Sequence, residues 1–339
     1  TTTFSPASNV TAYLVVLSPG ALNYYTYGYP LGPQASAIPV TVSSSNTNVG
    51  TISYASGTST SIAVGFYATP NLGVVFNPVT AGTTNLNLTI PAGYSAPTNQ
   101  PTQIVATVSA PSITVGAPIV GNNLIVQGAL TLAAAPPTNE TLTLTSSDPT
   151  HFLLTSDATK VGSASITLPL TANSTNVPPF YIEGQNYAGT AAITATVTAS
   201  ASGYSDGNVT VTLYPTGLTF FGSGTLSTTT TSGASNVSVF AIVLSPGTLT
   251  YYTYGYNVGP QAGPGGIPVT VSSSAPAVGT ISYLGGGTST SIAVGSYITA
   301  NLGVAFNPLT AGTTDLTVVT PTGYFVPSNE PVQIVATVQ

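Results

Sequence analysis

Two long segments of this chain, residues 9–108 and residues 236–338, repeat one another. VVLSPG matches IVLSPG, YYTYGYPLGPQA matches YYTYGYNVGPQA, and IPVTVSSS occurs in both, while the offset drifts from 227 to 230 residues. We call these segments the first copy and the second copy of module A. A different segment, module B, lies between them at about 110–216. The order A-B-A indicates an alternating array with a period of about 230 residues.

Short β-branched runs typical of strands occur along the whole chain. Runs such as IPVTVSS, QIVATVS and SASITLPL alternate apolar residues with Thr or Ser, and clusters of Gly, Pro, Asn and Ser separate them every 8 to 12 residues. No segment of helix length has a 3.6-residue period. The sequence therefore predicts an all-β protein of three tandem immunoglobulin-like β-sandwich domains in A-B-A order, at residues 1–109, 110–216 and 217–339.

The second copy follows a leader, GLTFFGSGTL at residues 217–226, that has no counterpart before Thr1. Two explanations stay open: the first copy is cut inside its domain and misses its first strand, or that strand comes from a neighbour. The second explanation predicts that an exposed sheet edge of each unit accepts a strand from the preceding unit, by β-augmentation. Such pairing would also remove the aggregation hazard of an open edge.

Ionisable side chains are nearly absent from the chain. It has one basic and seven acidic residues, a formal net charge of −6 and a mean hydropathy of +0.37. Positive hydropathy argues against disorder, and no apolar run approaches the ~18 residues of a transmembrane helix. With Lys160 as its only basic residue, the chain has almost nothing to neutralise phosphates. We therefore expect no nucleic-acid partner and no membrane insertion.

Module A has almost no residues for acid–base chemistry. Residues 1–109 contain no Asp, Glu, Lys, Arg, His or Cys, so the first copy has no conventional general acid, general base or metal ligand. Asp315 and Glu330 of the second copy stand where the first copy has Asn85 and Gln100. Because neutral residues of similar shape fill those positions, we predict a protein that is not an enzyme and uses no cofactor.

Module B holds the remaining charged residues and His151, and two site hypotheses concern its segment SSDPTHFLLTSDATK. Asp148, His151 and Asp157 are candidates for a metal site, or for a triad with a nearby serine. We favour a structural interpretation, in which Ser-Ser-Asp-Pro is a turn capped by its own Asp side chain and His151 lies at a loop edge. A Lys–Asn staple bond would require Lys160 to be buried beside an Asn and a carboxylate. The prediction is that no metal is bound. The charged residues and the histidine of module B are Glu140, Asp148, His151, Asp157, Lys160, Glu183 and Asp206.

Several segments resemble a known family of repeats. VTVSSSNTNVGTISY, FNPVTAGTTNLNLTIPAGY and QIVATV resemble the bacterial Ig-like repeats of very large secreted or cell-surface proteins. Residues 143–170 and 180–215 resemble a second repeat type that often accompanies the first, as in the alternating arrays of acidobacteria. The resemblance covers almost the whole chain and implies an extracellular or cell-surface location. It implies no single function, because the family includes stalks, adhesins and matrix proteins, and the scarcity of charge and the tyrosine stretch depart from its usual pattern.

Six Asn-x-Ser/Thr sequons agree with an extracellular location and predict N-glycosylation. They begin at Asn9, Asn87, Asn139, Asn173, Asn208 and Asn236.

The stretch YYTYGY, present in both copies, admits three interpretations. Alternate tyrosines can pack in the sandwich core, or the exposed ones, together with Tyr13, Tyr54 and Tyr67, can form contacts between modules or chains, or they can bind glycans. A surface with so little charge favours association. The tyrosines of the stretch are Tyr24, Tyr25, Tyr27 and Tyr29 in the first copy and Tyr251, Tyr252, Tyr254 and Tyr256 in the second.

These observations together predict a non-catalytic extracellular structural protein, a subunit or segment of a filament, stalk or surface layer. Its expected partners are copies of itself, with strand exchange as one mode of assembly. The alternative is an adhesin whose A modules bind glycans through exposed tyrosines.

Overall fold

The protein is built from β-strands, as a computed structural model that describes residues 1–116, 118–220 and 224–339 shows. Within those ranges the only helical element is a 3-10 turn, η1, at Pro260–Ala262. The all-β prediction is therefore confirmed. No helix in the described part of the chain is long and apolar enough to span a membrane.

The chain divides into two compact units. Unit 1 comprises residues 1–112 and 202–205, and unit 2 comprises residues 113–201 and 206–339. Most of module B and the whole second copy thus fall within one unit, so the predicted division into three domains stays a prediction. Residues 221–223 of the leader lie outside the described residues.

Unit 1 contains the first copy, whose strands form three sheets in the orders β1-β7-β5, β2-β3 and β6-β4-β8-β9. All the strand pairs in these sheets are antiparallel. The strands are β1 (Ser8–Asn9), β2 (Val15–Leu17), β3 (Tyr24–Tyr27), β4 (Ile38–Ser44), β5 (Gly50–Tyr54), β6 (Thr60–Ile62), β7 (Val74–Pro78), β8 (Gly82–Thr89) and β9 (Gln103–Val108).

The core of unit 1 follows the period-2 pattern of its strands. In β4 the side chains of Ile38, Val40 and Val42 are buried, while those between them face solvent, because successive residues of a strand point to opposite faces. Phe76 of β7 and Leu86 of β8 belong to the same core cluster.

Unit 2 contains module B and the second copy. Module B contributes β10 (Ile113–Val115), β11 (Ile119–Gly121), β12 (Leu124–Gln127), β13 (Leu130–Leu132), β14 (Glu140–Ser146), β15 (Phe152–Thr155), β16 (Ser165–Leu170), β17 (Tyr181–Gly184), β18 (Ile193–Ser200) and β19 (Gly207–Tyr214). The following strands are β20 (Thr216–Thr219), β21 (Thr225–Thr228), β22 (Ser235–Asn236), β23 (Phe240–Leu244), β24 (Tyr251–Tyr254), β25 (Asn257–Val258), β26 (Ile267–Ser273), β27 (Gly279–Tyr283), β28 (Thr290–Ile292), β29 (Val304–Pro308), β30 (Gly312–Val319) and β31 (Gln333–Val338).

One sheet of unit 2 joins module B to the second copy. Its order is β15-β17-β12-β25, with Leu124 opposite Val258 and Ile125 opposite Asn257. The other sheets are β10-β13, β11-β19-β18-β14-β16, β20-β23-β24, β21-β31-β30-β26-β28 and β22-β29-β27. Backbone pairing therefore runs continuously from module B into the second copy.

A glycine faces a buried phenylalanine ring in each of the three modules. A Cβ added to Gly50 would overlap the ring of Phe76, and the same holds for Gly279 and Phe306 in the second copy. In module B, Gly128 stands in this relation to Phe180. The three rings are almost completely buried, so these glycines leave the space that the core aromatics occupy.

We predict that Gly50→Ala destabilises the protein by about 1–3 kcal/mol, because an overpacked ring must leave its rotamer or displace the strand. Thermal and urea unfolding of the full chain measure the effect. Gly32→Ala is the matched control, since no atom lies within 4 Å of the added Cβ, and its stability should stay within about 0.5 kcal/mol. Equal stability of the two variants would contradict the overlap.

Candidate functional site

The tyrosine stretch lies on the second strand of the same hairpin in both copies, β2–β3 and β23–β24. Each hairpin has a register shift at the same place, between Val16 and Leu17 and between Val243 and Leu244. The repeated sequence therefore reproduces the strand pairing of the hairpin together with its register shift.

The first residue of the stretch is held by an asparagine side chain. The Tyr24 N–H donates to Asn99 Oδ1 at 2.6 Å, and the Tyr251 N–H donates to Asn329 Oδ1 at the same distance. Both contacts join the hairpin to the loop before the last strand of the module, so the tyrosine strand is positioned identically in the two copies.

Most tyrosines of the stretch face solvent. In the first copy Tyr25, Tyr27 and Tyr29 are exposed and Tyr24 is half-buried. In the second copy Tyr252 and Tyr254 are exposed, whereas Tyr251 and Tyr256 are half-buried. None of these tyrosines is fully buried, and exposure alternates along the strand, with Tyr24 and Tyr251 on the less exposed face. The packing of alternate tyrosines in the core stays a prediction.

Three aromatic rings form a cluster on the surface of each copy. In the first copy the ring of Tyr27 lies 6.1 Å from both Tyr13 and Tyr67, and Tyr13 and Tyr67 are 6.5 Å apart. These centroid distances fall in the range of favourable aromatic pairs. All three side chains are exposed, as expected for Tyr13 and Tyr67. We call this group the aromatic cluster.

The second copy repeats the cluster with one substitution and with less exposure, since Tyr254 is exposed but Phe240 and Tyr297 are half-buried. Tyr297 lies 6.3 Å from Phe240 and 6.0 Å from Tyr254, measured between ring centroids. Phe240 stands at the position of Tyr13, and sequence reasoning did not single it out. The alignment of the two copies contained that signal, because an aromatic residue stands two positions before VVLSPG in the first copy and two positions before IVLSPG in the second.

Tyr54 does not belong to this surface, contrary to the expectation from sequence. Its hydroxyl accepts a hydrogen bond from Val42 N–H at 2.8 Å and donates one to Val42 O at 2.7 Å. Tyr283 makes the same pair of bonds with Val271, each 2.9 Å long. The side chain of Tyr54 therefore points toward β4 and that of Tyr283 toward β26, where each hydroxyl bonds to both backbone polar groups of one valine.

The environment of the tyrosine strand differs between the copies. Tyr252 packs edge-on against Tyr214 at the end of module B, with ring centroids 5.2 Å apart. Its exposed fraction is 47%, against 73% for Tyr25 at the same position of the first copy. Burial also raises the pKa of Tyr256, so its hydroxyl stays neutral well above physiological pH.

The sequon asparagines are mostly accessible. Asn9, Asn139, Asn173, Asn208 and Asn236 are exposed. Asn87 is half-buried, and its side-chain oxygen accepts a hydrogen bond from Gln103. N-glycosylation stays a prediction.

Asp148 and His151 form a local turn in module B. Asp148 Oδ1 accepts from the Thr150 N–H at 3.1 Å, and Oδ2 lies 2.7 Å from His151 Nδ1. Burial raises the pKa of Asp148, but the hydrogen bond and charge of His151 outweigh it and the net pKa is lowered. The predicted Asp-capped turn is confirmed.

Asp157 and Lys160 form a second, separate turn. Asp157 Oδ1 accepts from the N–H and the hydroxyl of Thr159, and these bonds lower the pKa of the Asp157 carboxyl. Lys160 Nζ lies 3.4 Å from Asp157 Oδ2 and its side chain is largely exposed, which does not fit a buried Lys–Asn staple bond. In the part of the chain that the structure describes, no three His, Cys, Asp or Glu side chains are grouped to hold a metal ion.

Glu183 on β17 is a buried carboxyl that the sequence did not reveal as unusual. It is fully buried, Oε2 accepts from the Gly162 N–H at 2.9 Å, and Oε1 has no partner among the described residues. Desolvation raises the pKa of Glu183, and the Gly162 hydrogen bond opposes that only in part.

We predict that Glu183→Gln stabilises the protein at neutral pH. The folded protein holds the Glu183 proton up to a higher pH than the unfolded chain does. Glu183 therefore makes the free energy of unfolding fall as the pH rises from the ordinary pKa of 4.5 through the raised pKa of the folded protein. Melting temperatures at pH 4 and pH 7 should differ less in the variant, with a gain of roughly 2–4 °C at pH 7. Glu140→Gln, at a less buried carboxyl on β14, is the control and should change neither value. A loss of stability at pH 7 in Glu183→Gln would contradict the prediction.

No protein-family model matches the chain, and no curated protein is similar to it. Three solved structures are similar in part. S-layer protein SbsC domains 4 and 5 is 14% identical over 51% of this chain and 75% of that chain, with a TM-score of 0.19. Protocadherin gamma B2 extracellular cadherin domains 3–6 is 9% identical over 98% and 76%, with a TM-score of 0.21. Sidekick-1 immunoglobulin domains 1–5 is 10% identical over 99% and 59%, with a TM-score of 0.27. Likeness at this level carries no inference about function.

Proposed function

We propose that the chain is a non-catalytic structural protein of the cell exterior, a subunit or segment of a filament, stalk or surface layer of Ig-like domains in A-B-A order. The observation that carries the proposal is the aromatic cluster, which recurs in both copies with similar ring spacing and is fully exposed in the first copy, whereas in the second copy Tyr254 is exposed and the other two rings are half-buried. We infer that the two clusters are contact surfaces between chains.

The chemistry of the cluster suits a permanent contact. Tyrosine buries a large area with few rotatable bonds, and its hydroxyl finds a hydrogen-bond partner at the rim of an interface. No Asp, Glu, Lys, Arg or His occurs in residues 1–109. A contact made by the first copy would therefore contribute no carboxylate, histidine or amine whose titration near neutral pH, or whose screening by salt, could weaken it.

Two similar surfaces on one chain favour a polymer. A chain with a single self-complementary patch closes into a dimer, whereas a chain with two contact surfaces can bind a neighbour at each and continue. The scarcity of charge acts in the same direction, because a net charge of −6 over 33.8 kDa gives little repulsion between chains.

The charged residues of module B support a non-catalytic role. Asp148 and Asp157 are each occupied in their own turns, and Glu183 is buried away from solvent. An acid–base pair for catalysis needs accessible groups that meet at one substrate position. These carboxyls instead have local structural partners.

An adhesin is the second candidate, favoured by the two tyrosines outside the cluster. Tyr25 and Tyr29 are both strongly exposed, and a free aromatic face can stack on the apolar face of a sugar ring. In that function the same strand would bind glycans, and self-association would be unnecessary.

Electron microscopy of the purified full chain, at low concentration and without crosslinker, tests the structural proposal. We expect ordered filaments or layers. The double variant Tyr27→Ser, Tyr254→Ser should raise the concentration needed for assembly at least tenfold, about 1.4 kcal/mol. Leu284→Ser removes a more exposed apolar side chain outside the clusters and should assemble normally. Dispersed particles of the unaltered chain at every concentration would overturn the proposal.

A glycan array separates the two candidates. The structural proposal predicts no glycan signal from the unaltered chain. The adhesin predicts a signal that Tyr25→Ala and Tyr29→Ala abolish while the oligomeric state stays the same. Loss of assembly without any glycan signal would favour the structural protein.

A further inference from the structure

A groove with a volume of about 670 Å³ lies in unit 1. Its lining includes Leu14, Val15 of β2 and Ile104 of β9. Among the described residues, β2 pairs with β3 alone. The groove therefore combines an unpaired strand edge with apolar walls.

The corresponding place in the second copy is filled by β20. This strand pairs antiparallel with β23, with Thr216 opposite Val243 and Leu218 opposite Ala241. Leu218 is completely buried and Phe220, which follows the strand, is almost completely buried. A single short segment thus closes both the strand edge and the core.

Equivalent residues of the two copies differ in exposure. Val243 is 0% exposed, whereas Val16 at the same position of the first copy is 43% exposed. Thr216 lies opposite Val243 and its hydroxyl donates to Asn122 O of module B. Ile334 is 5% exposed, lines a small pocket with Phe220 and Leu226, and has the 48% exposed Ile104 as its equivalent. The first copy therefore presents to solvent residues that the second copy buries under module B, β20, Phe220 and β21.

The backbone groups that hold the segment are also present in the first copy. The Leu244 N–H donates to Pro215 O at 2.8 Å, and the Phe220 N–H donates to Pro331 O at 2.9 Å. The equivalent donor and acceptor of the first copy belong to Leu17 and Pro101.

Module B makes two further contacts with the second copy beside this segment. Tyr214 packs against Tyr252, and Asn123 Nδ2 donates to Tyr324 Oη at 2.7 Å. The first copy has Tyr25 and Tyr94 at these positions, and both are exposed.

We propose that the groove of the first copy binds an extended segment of the sequence type Tyr214–Phe220, the exit strand of a B-type module. Leu would enter the core, Tyr would pack on Tyr25, and the strand would pair with β2 as β20 pairs with β23. Gly is required between Thr and Leu, because a Cβ on Gly217 would lie 2.8 Å from Leu244 and 2.9 Å from Phe325 O. This inference goes beyond the proposed function and does not depend on polymer formation.

A strand of this type donated by another copy of the chain is not the occupant we propose. In unit 2 the segment Thr216–Phe220 is already buried in its own second copy, and releasing it would expose the apolar residues that it covers. The occupant is therefore a B-type exit strand that has no second copy of its own to cover.

Titration of a labelled synthetic peptide, YPTGLTF, against the full chain tests the proposal by fluorescence anisotropy. We expect saturable binding of one peptide per chain, and slower hydrogen exchange in β2 on binding. Ile104→Lys should weaken binding at least tenfold, since Ile104 lines the groove and its equivalent Ile334 lines a pocket with Phe220. Val79→Lys is the matched control, because Val79 and its equivalent Leu309 are exposed to similar extents, 49% and 52%.

Changes in the peptide test the groove without altering the protein. The Leu218→Asp and Gly217→Val forms of the peptide should each lose at least tenfold in affinity. No saturable binding, equal binding to Ile104→Lys, or slowed exchange elsewhere than in the strands around the groove would overturn the proposal. Self-association that Ile104→Lys abolishes and the peptide fails to displace would identify another copy as the occupant, and would also overturn it.

The two proposals fail separately. Peptide binding by a chain that forms no filaments would refute the assembly proposal and leave the groove assignment intact. Filaments from a chain that does not bind the peptide would refute the groove assignment alone.

Discussion

Pairing of strands whose side chains alternate between apolar and hydroxyl groups is the constraint on which this structure depends. Buried threonine hydroxyls of module A, such as that of Thr84, bond to other hydroxyls and to backbone instead of to charges. Thr84 is buried, and its hydroxyl bonds to Ser44 Oγ at 2.8 Å and to the Asn46 N–H at 2.9 Å. Thr314 repeats the arrangement in the second copy. Because such groups do not ionise, the chain can fold with very few charged residues.

The scarcity of charged side chains also determines the composition of the surface. With few charged side chains to cover it, the exterior carries clustered tyrosine rings and isolated aliphatic residues, and a surface of this kind tends to associate. Charged residues occur mainly in module B, where each of the Asp148 and Asp157 carboxylates closes a turn. The charged side chains of module B therefore stabilise local turns. Module A has almost no charged side chains, so a contact between module A and a partner depends on uncharged aromatic residues.

The two copies of module A act as an internal comparison. Their sequences place the same hairpin, the same aromatic cluster and the same hydroxyl contacts at matching positions, yet Val16 and Val243 differ completely in burial. In the second copy the segment Thr216–Thr219 pairs with β23, and module B packs on the same face through Asn122. What precedes and flanks the hairpin therefore decides whether its edge is a buried part of a sheet or open to solvent.

Period-2 alternation, turn residues and the internal repeat are local properties, so the sequence alone determined the all-β class, the exposure of Tyr13 and Tyr67, and the Asp148 turn. Contacts between residues far apart in the chain were decided only by the tertiary structure. These include the Tyr54 hydroxyl on Val42, the burial of Glu183 between β12 and β15 and the pairing of β12 with β25. The physical reason is that the alternation of apolar and polar residues shows which face of a strand is buried. Which strand pairs with it in the sheet depends on packing across the whole unit.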